Sequence, residues 1–465
     1  MTQGEATETP GDFARLQRSP MALASLQNAQ QHFRNGRPAA AVASYRFLVQ
    51  QFPGAAQLWT ELGTAAAADL DYALADEAFQ RALELAPSDA ALLVAIGRQY
   101  YRLRNMAQTS RCFERAVEVS PGSADARMNL ASWHEQNRQL DKAWESVETC
   151  LSQHPHNGRA RYFKAFLLHG AGKSEAAETA LRDLLKDQSA FGLDVLSNAN
   201  HLLGVILDAR GEYAEAFRHV ARAKALRREL ADPTLLEQNY QKMDQRRREL
   251  LVQLTPETFR RWRDDAVECP HPLALLGGAP RSGTTLIEQI IGAHPDILVF
   301  DESEAFVQEL AGAPLPEPAW QLSFNTLDKL PPALRSAWIG RYFKRLLHET
   351  DEAPGARLLL DKNPSTTGSL HIWLRLFPQS KIIIALRDPR DVLVSCYFQN
   401  IPINAASVNF LSLERTARFY ADCMDVWLRL RDMGGFEWIE TRYEDVVANL
   451  ESEGQRVTNF RPAVW

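Results

Sequence analysis

The chain has few cysteines, no long apolar run and little net charge, and each shortage removes a class of protein. Its five cysteines, Cys112, Cys150, Cys269, Cys396 and Cys423, are odd in number, scattered over 465 residues and never at metal-ligand spacing. That pattern excludes a disulfide framework and a zinc module, and it fits a reducing compartment. No run approaches the roughly 20 apolar residues that a membrane-spanning helix needs. The polar, partly acidic stretch Met1–Pro20 lacks the pattern of a secretory signal and is expected to be a flexible N-terminus. A net charge of −6 argues against general nucleic-acid binding. The expectation is a soluble cytoplasmic protein with no membrane or nucleic-acid partner. At 465 residues it needs more than one core.

What is present first is a repeat. Pro53, Pro87, Pro121 and Pro155 recur every 34 residues, the period of the tetratricopeptide helix pair. Trp59, Leu62, Gly63, Ala75, Phe79, Ala82 and Pro87 fall at the signature positions of one unit, and Ile96, Gly97, Tyr100, Phe113, Ala116 and Pro121 at those of the next. Weaker units follow around Ala165 and Ala177 and, after a short insertion, around Leu203, Gly204, Ala216 and Ala223. Small residues let paired helices approach, aromatics wedge between pairs, and proline closes each unit where its missing N–H does least harm. Residues 21–228 are therefore expected to form an α-solenoid of about six helix pairs with a concave face. Such arrays bind a peptide or protein, or else scaffold and form a homodimer. The stretch 229–268 turns highly charged (Arg246, Arg247, Arg248) and is expected to be an exposed helical connector.

From Pro272 the pattern changes. Leu273–Leu276 is an apolar run suited to a buried parallel strand, followed by Gly277-Gly278, the turn Pro280-Arg281-Ser282-Gly283-Thr284-Thr285 and an amphipathic helix from Leu286. Strand, glycine-rich turn and helix N-terminus aim backbone N–H groups at an anion. Ser282, Gly283, Thr284 and Thr285 supply that cradle, and Arg281 adds a fixed charge. No lysine precedes the threonines, which disfavours an ATP or GTP hydrolase. About 100 residues on, the strand Lys381–Leu386 runs into Arg387, at a strand end where open α/β sheets place ligands. Ser395, eight residues later on the following helix, can return to the same phosphate.

The Pro280–Thr285 loop resembles the 5′-phosphosulfate loop of sulfotransferases, and Arg387 with Ser395 is similar to their 3′-phosphate signature. The resemblance covers residues 270–450 and implies an α/β P-loop-like sulfotransferase domain with a central parallel sheet over 269–465, using 3′-phosphoadenosine 5′-phosphosulfate (PAPS) and no metal. The segment His294–Glu304 resembles that of the tyrosylprotein sulfotransferases, which implies Glu302 as catalytic base, although Phe300-Asp301-Glu302 replaces their Gly-Glu-Glu; Asp301 and Glu304 are the substitutes. Asp361-Lys362-Asn363-Pro364 is similar to the element whose lysine assists the departing phosphate, which implies Lys362 and Arg281 as catalytic cations. A tyrosine near the nucleotide is implied at Tyr443, after a strand expected at Phe436–Ile439 and before a helix expected over Glu444–Phe460. The resemblance also implies a basic closing loop past this point, so the domain is expected to be C-terminally short, with Arg461 the cation left to serve. The acceptor reads first as a peptide tyrosine, next as a carbohydrate or small-molecule hydroxyl. A repeat module carrying an inactive sulfotransferase domain stays open.

Overall fold

The structure, a computed structural model, describes residues 11–312, 315 and 321–460. The chain forms two compact units, residues 1–186 and 187–465. The N-terminus is not flexible throughout: Asp12–Arg18 is helical and Leu16 is fully buried. Residues 1–10 and Arg461 lie outside the described residues.

The first unit pairs helices Pro20–Arg34 with Pro38–Gln51, Ala56–Ala68 with Tyr72–Leu85, Ala90–Arg102 with Met106–Val119, Ala124–Gln136 with Leu140–Gln153, and Gly158–Gly170 with Ser174–Lys186. The small signature residues sit where helices touch. A Cβ on Gly63 would meet the Phe79 ring at 2.5 Å, and one on Gly97 the Phe113 ring at 2.8 Å. Each pair turns on one left-handed residue, Gly36, Leu70, Arg104, Arg138 and Gly172, spaced like the prolines. Only two of these five are glycine, so most of this second periodicity is invisible to a search for turn glycines.

A sixth pair, Leu193–Ala209 and Tyr213–Ala231, follows a short 3-10 turn at Gln188–Ala190. It folds as part of the second unit.

The 229–268 connector is helical, at Thr234–Leu251 and Pro256–Asp264, but it is not an exposed link. Leu250, Leu251, Leu254, Phe259 and Trp262 join the main core of the second unit. Arg247, read as part of a solvated basic run, is 8% exposed and paired with Asp244, while Arg248 reaches Asp422 at 2.5 Å. Local ion pairing lets this highly charged helix bury one face.

Five parallel strands make the sheet of the second unit: β1 (Leu273–Gly278), β2 (Ile297–Asp301), β3 (Leu358–Lys362), β4 (Lys381–Leu386) and β5 (Trp438–Arg442), in the order β2-β3-β1-β4-β5. The central strand β1 is buried along its whole length, as its unbroken apolar run requires. β5 begins two residues later than the apolar pattern suggests. Gly434 and Gly435 take positive φ, and Phe436 packs against Phe259 and Trp427 before pairing starts. The helix expected over Glu444–Phe460 is two helices, Tyr443–Ala448 and Leu450–Thr458, separated at a non-helical Asn449. No helix among the described residues is long and apolar enough to cross a membrane.

Candidate active site

All five strands end on one side of the sheet, and the expected site residues cluster there. Gly278 ends β1, Asp301 ends β2, Lys362 ends β3, and Arg387 and Tyr443 follow β4 and β5 directly. This is where open parallel sheets bind ligands, because helix N-termini and loops converge at the strand carboxyl ends.

The loop after β1 forms as its composition demands. Gly278 has φ 134°, and its amide donates to Thr367 Oγ1 at 2.7 Å. Gly283 has φ 95° and lies so close to Tyr443 that a Cβ would meet Cδ2 at 2.5 Å. No side chain caps the helix Thr284–Gly292, and the Leu286 and Ile287 amides turn back to the Gly283 carbonyl, so the amides of Thr284 and Thr285 are the ones placed to meet a ligand. Ser282 Oγ is buried without a hydrogen-bond partner.

Arg281 joins the two halves of the expected nucleotide signature. Its Nε donates to Ser395 Oγ at 3.1 Å, and its carbonyl accepts from Arg387 Nη1 at 3.5 Å. The Arg387 guanidinium lies 4.6 Å over the Tyr443 ring, and its buried Nε has no hydrogen-bond partner. A cavity of about 510 Å³ opens here, lined by Arg281, Gly283, Thr284, Thr285, Glu302, Arg387 and Tyr443 among others. The donor set fits a phosphate-rich anion: hydroxyls, amides and two guanidiniums, with buried donors still unsatisfied.

Glu302 and Lys362 meet at the neighbouring strand ends. Lys362 Nζ donates to Glu302 Oε1 at 3.2 Å, pairs with Asp301, and lies 3.4 Å from Glu288 Oε2. Lys362 is 1% exposed, whereas Glu302 is 66% exposed and lines the cavity. Burial alone would pull the lysine pKa down, but the hydrogen bonds and charges of Asp301 and Glu302 outweigh it and hold the pKa above the usual value. The carboxyl of Glu288 is raised by burial and by the charge of Asp301, with Lys362 offsetting part of the rise. Asp301 is thus committed to Lys362, and Glu304 to a 2.6 Å bond from Gln308 Nε2.

Backbone strain marks the same residues. Among the described residues of 269–460, two non-glycine residues have positive φ, Arg281 at 70° and Glu302 at 49°. Left-handed backbone costs a side-chain-bearing residue about 1–2 kcal/mol and persists where the surroundings over-determine it. For Glu302 the restraint is a 2.8 Å bond from its amide to the Lys362 carbonyl.

Three features escaped the sequence reading. Glu288 completes the cluster round Lys362, and its signal was an acidic residue beside Ile287 and Ile291 on the buried face of an amphipathic helix. Thr367 anchors the loop through Gly278. The rest of the cavity lining, including Gln399, Ile401, Asn404, Phe410 and Phe419, carries no motif.

Residues 272–461 match the sequence model of the sulfotransferase family, and residues 26–90 and 94–148 that of the tetratricopeptide repeat. The second unit thus carries a segment similar to the sulfotransferase family, in one chain with segments similar to tetratricopeptide repeats. Among curated proteins, protein-tyrosine sulfotransferase 2 of Gallus gallus is 26% identical over 207 residues, 42% of this chain and 52% of that protein. Protein-tyrosine sulfotransferase A of Caenorhabditis elegans is 24% identical over 216 residues, 43% of this chain and 53% of that protein. Protein-tyrosine sulfotransferase 1 of Homo sapiens is 30% identical over 164 residues, 34% of this chain and 40% of that protein. The chain spans about half the length of the first two relatives.

Proposed function

We propose that the second unit transfers a sulfuryl group from PAPS to an acceptor hydroxyl, and that the acceptor is a tyrosine of a peptide or protein. The observation that carries this reading is the meeting of Arg281, Thr284, Thr285, Arg387 and Glu302 on one cavity. The first four offer two guanidiniums and two hydroxyls that can donate, suited to the two phosphate ends of the nucleotide, and Glu302 is the acidic side chain beside them. Tyr443 supplies an aromatic face between the loop and Arg387.

In the proposed reaction Glu302 takes the proton of the acceptor hydroxyl as that oxygen bonds to sulfur. The bond from sulfur to the bridging phosphate oxygen breaks, and its electron pair leaves with adenosine 3′,5′-bisphosphate. Arg281, the amides of the first helical turn and Lys362 stabilise the negative charge that develops on the departing side. Lys362 shares its ammonium among Glu288, Asp301 and Glu302, so its assistance requires the pair with Glu302 to loosen as the proton arrives there. Neutralising Glu302 does this, which couples the base to the leaving-group cation.

The tyrosine assignment is supported by the names of the curated relatives and by the apolar part of the lining. Ile401, Ala406, Phe410 and Phe419 offer an aromatic ring a surface in the cavity that Glu302 enters. The repeats are proposed to bring the peptide, since such arrays present concave binding faces. The reading is tested by titrating adenosine 3′,5′-bisphosphate calorimetrically and by incubating the protein with labelled PAPS and tyrosine-containing peptides. Absence of binding at high nucleotide concentration would sink it. Label on serine or sugar hydroxyls in place of tyrosine would keep the transferase and discard the acceptor.

A further inference from the structure

The cavity wall after Ser395 has no regular structure of its own. Residues 399–404 are neither helix nor strand, yet Gln399, Ile401 and Asn404 line the cavity. Backbone carbonyls in such a segment need outside donors if the wall is to hold one shape. They find them on the sixth helix pair. The ring of His201 contacts the Phe398 carbonyl through Nε2 at 2.7 Å, Lys224 Nζ donates to the Gln399 carbonyl at 2.6 Å, and Arg227 Nη1 donates to the Ile401 carbonyl at 3.1 Å. Asn400 Nδ2 donates to Asn198 Oδ1 at 3.0 Å, and Phe217 stacks on Tyr397 with ring centroids 5.6 Å apart.

Lys224 is the unusual member of this set. It is 6% exposed, and among the described residues no carboxylate forms an ion pair with it. Its ammonium is met by the Gln399 carbonyl and by the Tyr397 ring, 5.6 Å from the ring centroid. Burial, then the charge of Arg227, holds its pKa down to about 8. A buried cation without a counter-ion is costly, and an apolar side chain would fill the same space without that cost. What the lysine adds is a strong donor at the end of a long stem, placed on a carbonyl of the cavity wall.

We propose that the sixth helix pair is a working part of the acceptor side of the cavity, with Lys224 as the positioning residue that sets the Gln399–Ile401 wall. This rests on the reading of the cavity as a sulfuryl-transfer site. The repeat-like pair then does more than present a surface: it determines how the acceptor hydroxyl meets Glu302.

The test is Lys224→Met in the full chain, with Lys224→Arg as the conservative variant and His201→Asn as a second removal that takes away a carbonyl contact and leaves the buried cation in place. In Lys224→Met, amide hydrogen exchange over residues 399–407 should rise about tenfold or more, because the wall loses its strongest anchor. Affinity for adenosine 3′,5′-bisphosphate should stay within about twofold, while KM for a tyrosine peptide rises about fivefold or more with a smaller change in kcat. Lys224→Arg should recover most of the KM, and His201→Asn should show the same pattern more weakly. Unchanged exchange together with unchanged KM overturns the proposal, as does an equal loss of nucleotide affinity, which would mark a structural role for the whole domain. Should the wild-type protein transfer no sulfuryl group, the activity reading falls and exchange alone decides: faster exchange supports the anchored wall, and unaltered exchange removes it.

Discussion

Glu302 and Lys362 are joined at 3.2 Å across the carboxyl ends of β2 and β3, with the carboxylate on the cavity and the ammonium buried. The pair places a proton acceptor and a cation in one hydrogen bond, and the Glu302 carboxylate helps hold the lysine pKa above its usual value. Glu302→Gln keeps the size and an oxygen that can accept from Lys362, and removes the negative charge together with the capacity to take a proton. Its kcat should fall by about 10²–10⁴, the usual worth of a general base, with adenosine 3′,5′-bisphosphate affinity unchanged. Steady-state kinetics beside calorimetry reads both quantities. A kcat within a few-fold of wild type would remove Glu302 from the chemistry and leave the fold untouched.

Gly283 and Tyr443 make a second pair whose closeness can be tested. At φ 95°, with a Cβ that would sit 2.5 Å from the tyrosine ring, Gly283 tolerates no side chain. Gly283→Ala should weaken adenosine 3′,5′-bisphosphate binding about tenfold or more, since left-handed strain of about 1–2 kcal/mol adds to the ring clash. Tyr443→Ala removes the clash along with a wall of the site, so Gly283→Ala should cost less affinity in the Tyr443→Ala background than in the wild type. An equal cost in both backgrounds would show that the ring is not the obstacle.

Much of this site was legible because its chemistry is local in sequence. The anion loop reads directly from Gly278 to Thr285, and β1 and β4 read from apolar runs flanking glycine and arginine. Arg387 and Ser395 follow from a strand end and one helical step. What was illegible depends on contacts far apart in the chain. Glu288 looks like an ordinary helix-face glutamate until β3 brings Lys362 beside it. The wall at Gln399–Phe410 has no pattern because its shape is imposed from the sixth helix pair. The connector was misread because Arg246–Arg248 advertise solvent, while Asp244 and Asp422 neutralise Arg247 and Arg248 and the apolar face of the helix goes to the core. Left-handed Arg281 and Glu302 carry no sequence signal at all, since nothing in an arginine or glutamate codes for positive φ.

His371 gives the second unit an acid-sensitive limb. It is buried, its Nδ1 has no hydrogen-bond partner, and burial, then the charge of Arg247, pushes its pKa down to about 3. The folded value lies below the unfolded one, so the unfolded chain takes up the proton first. The stability this group contributes is therefore complete above about pH 6.5 and is lost as pH falls toward the folded value. Between pH 7 and pH 5 the term amounts to about 2 kcal/mol of unfolding free energy. His371→Asn should remove that slope whatever it does to the total, as read from urea unfolding of the full chain at both pH values. Equal slopes in wild type and variant would mean that the imidazole is protonated, or reached by water, in the folded state.

Arg387 offers the most discriminating test of the nucleotide assignment, because it separates the two phosphate ends. Its guanidinium is oriented by the Tyr443 face at 4.6 Å and by the Arg281 carbonyl at 3.5 Å, and its buried Nε is still without a partner. If that donor awaits the 3′-phosphate, Arg387→Ala should cost about 2–3 kcal/mol toward adenosine 3′,5′-bisphosphate, roughly 30- to 160-fold in Kd, the range of a charge-assisted hydrogen bond. Adenosine 5′-monophosphate, which lacks the 3′ group, should bind the variant and the wild type equally weakly. Arg387→Lys should recover only part of the loss, since an ammonium keeps the charge without the planar fork. Ser395→Ala should cost less, because Ser395 Oγ accepts from Arg281 Nε at 3.1 Å and its removal releases that guanidinium for the phosphate. Equal losses for the two nucleotides would place Arg387 on the 5′ side, and the 3′-phosphate would then need another cation.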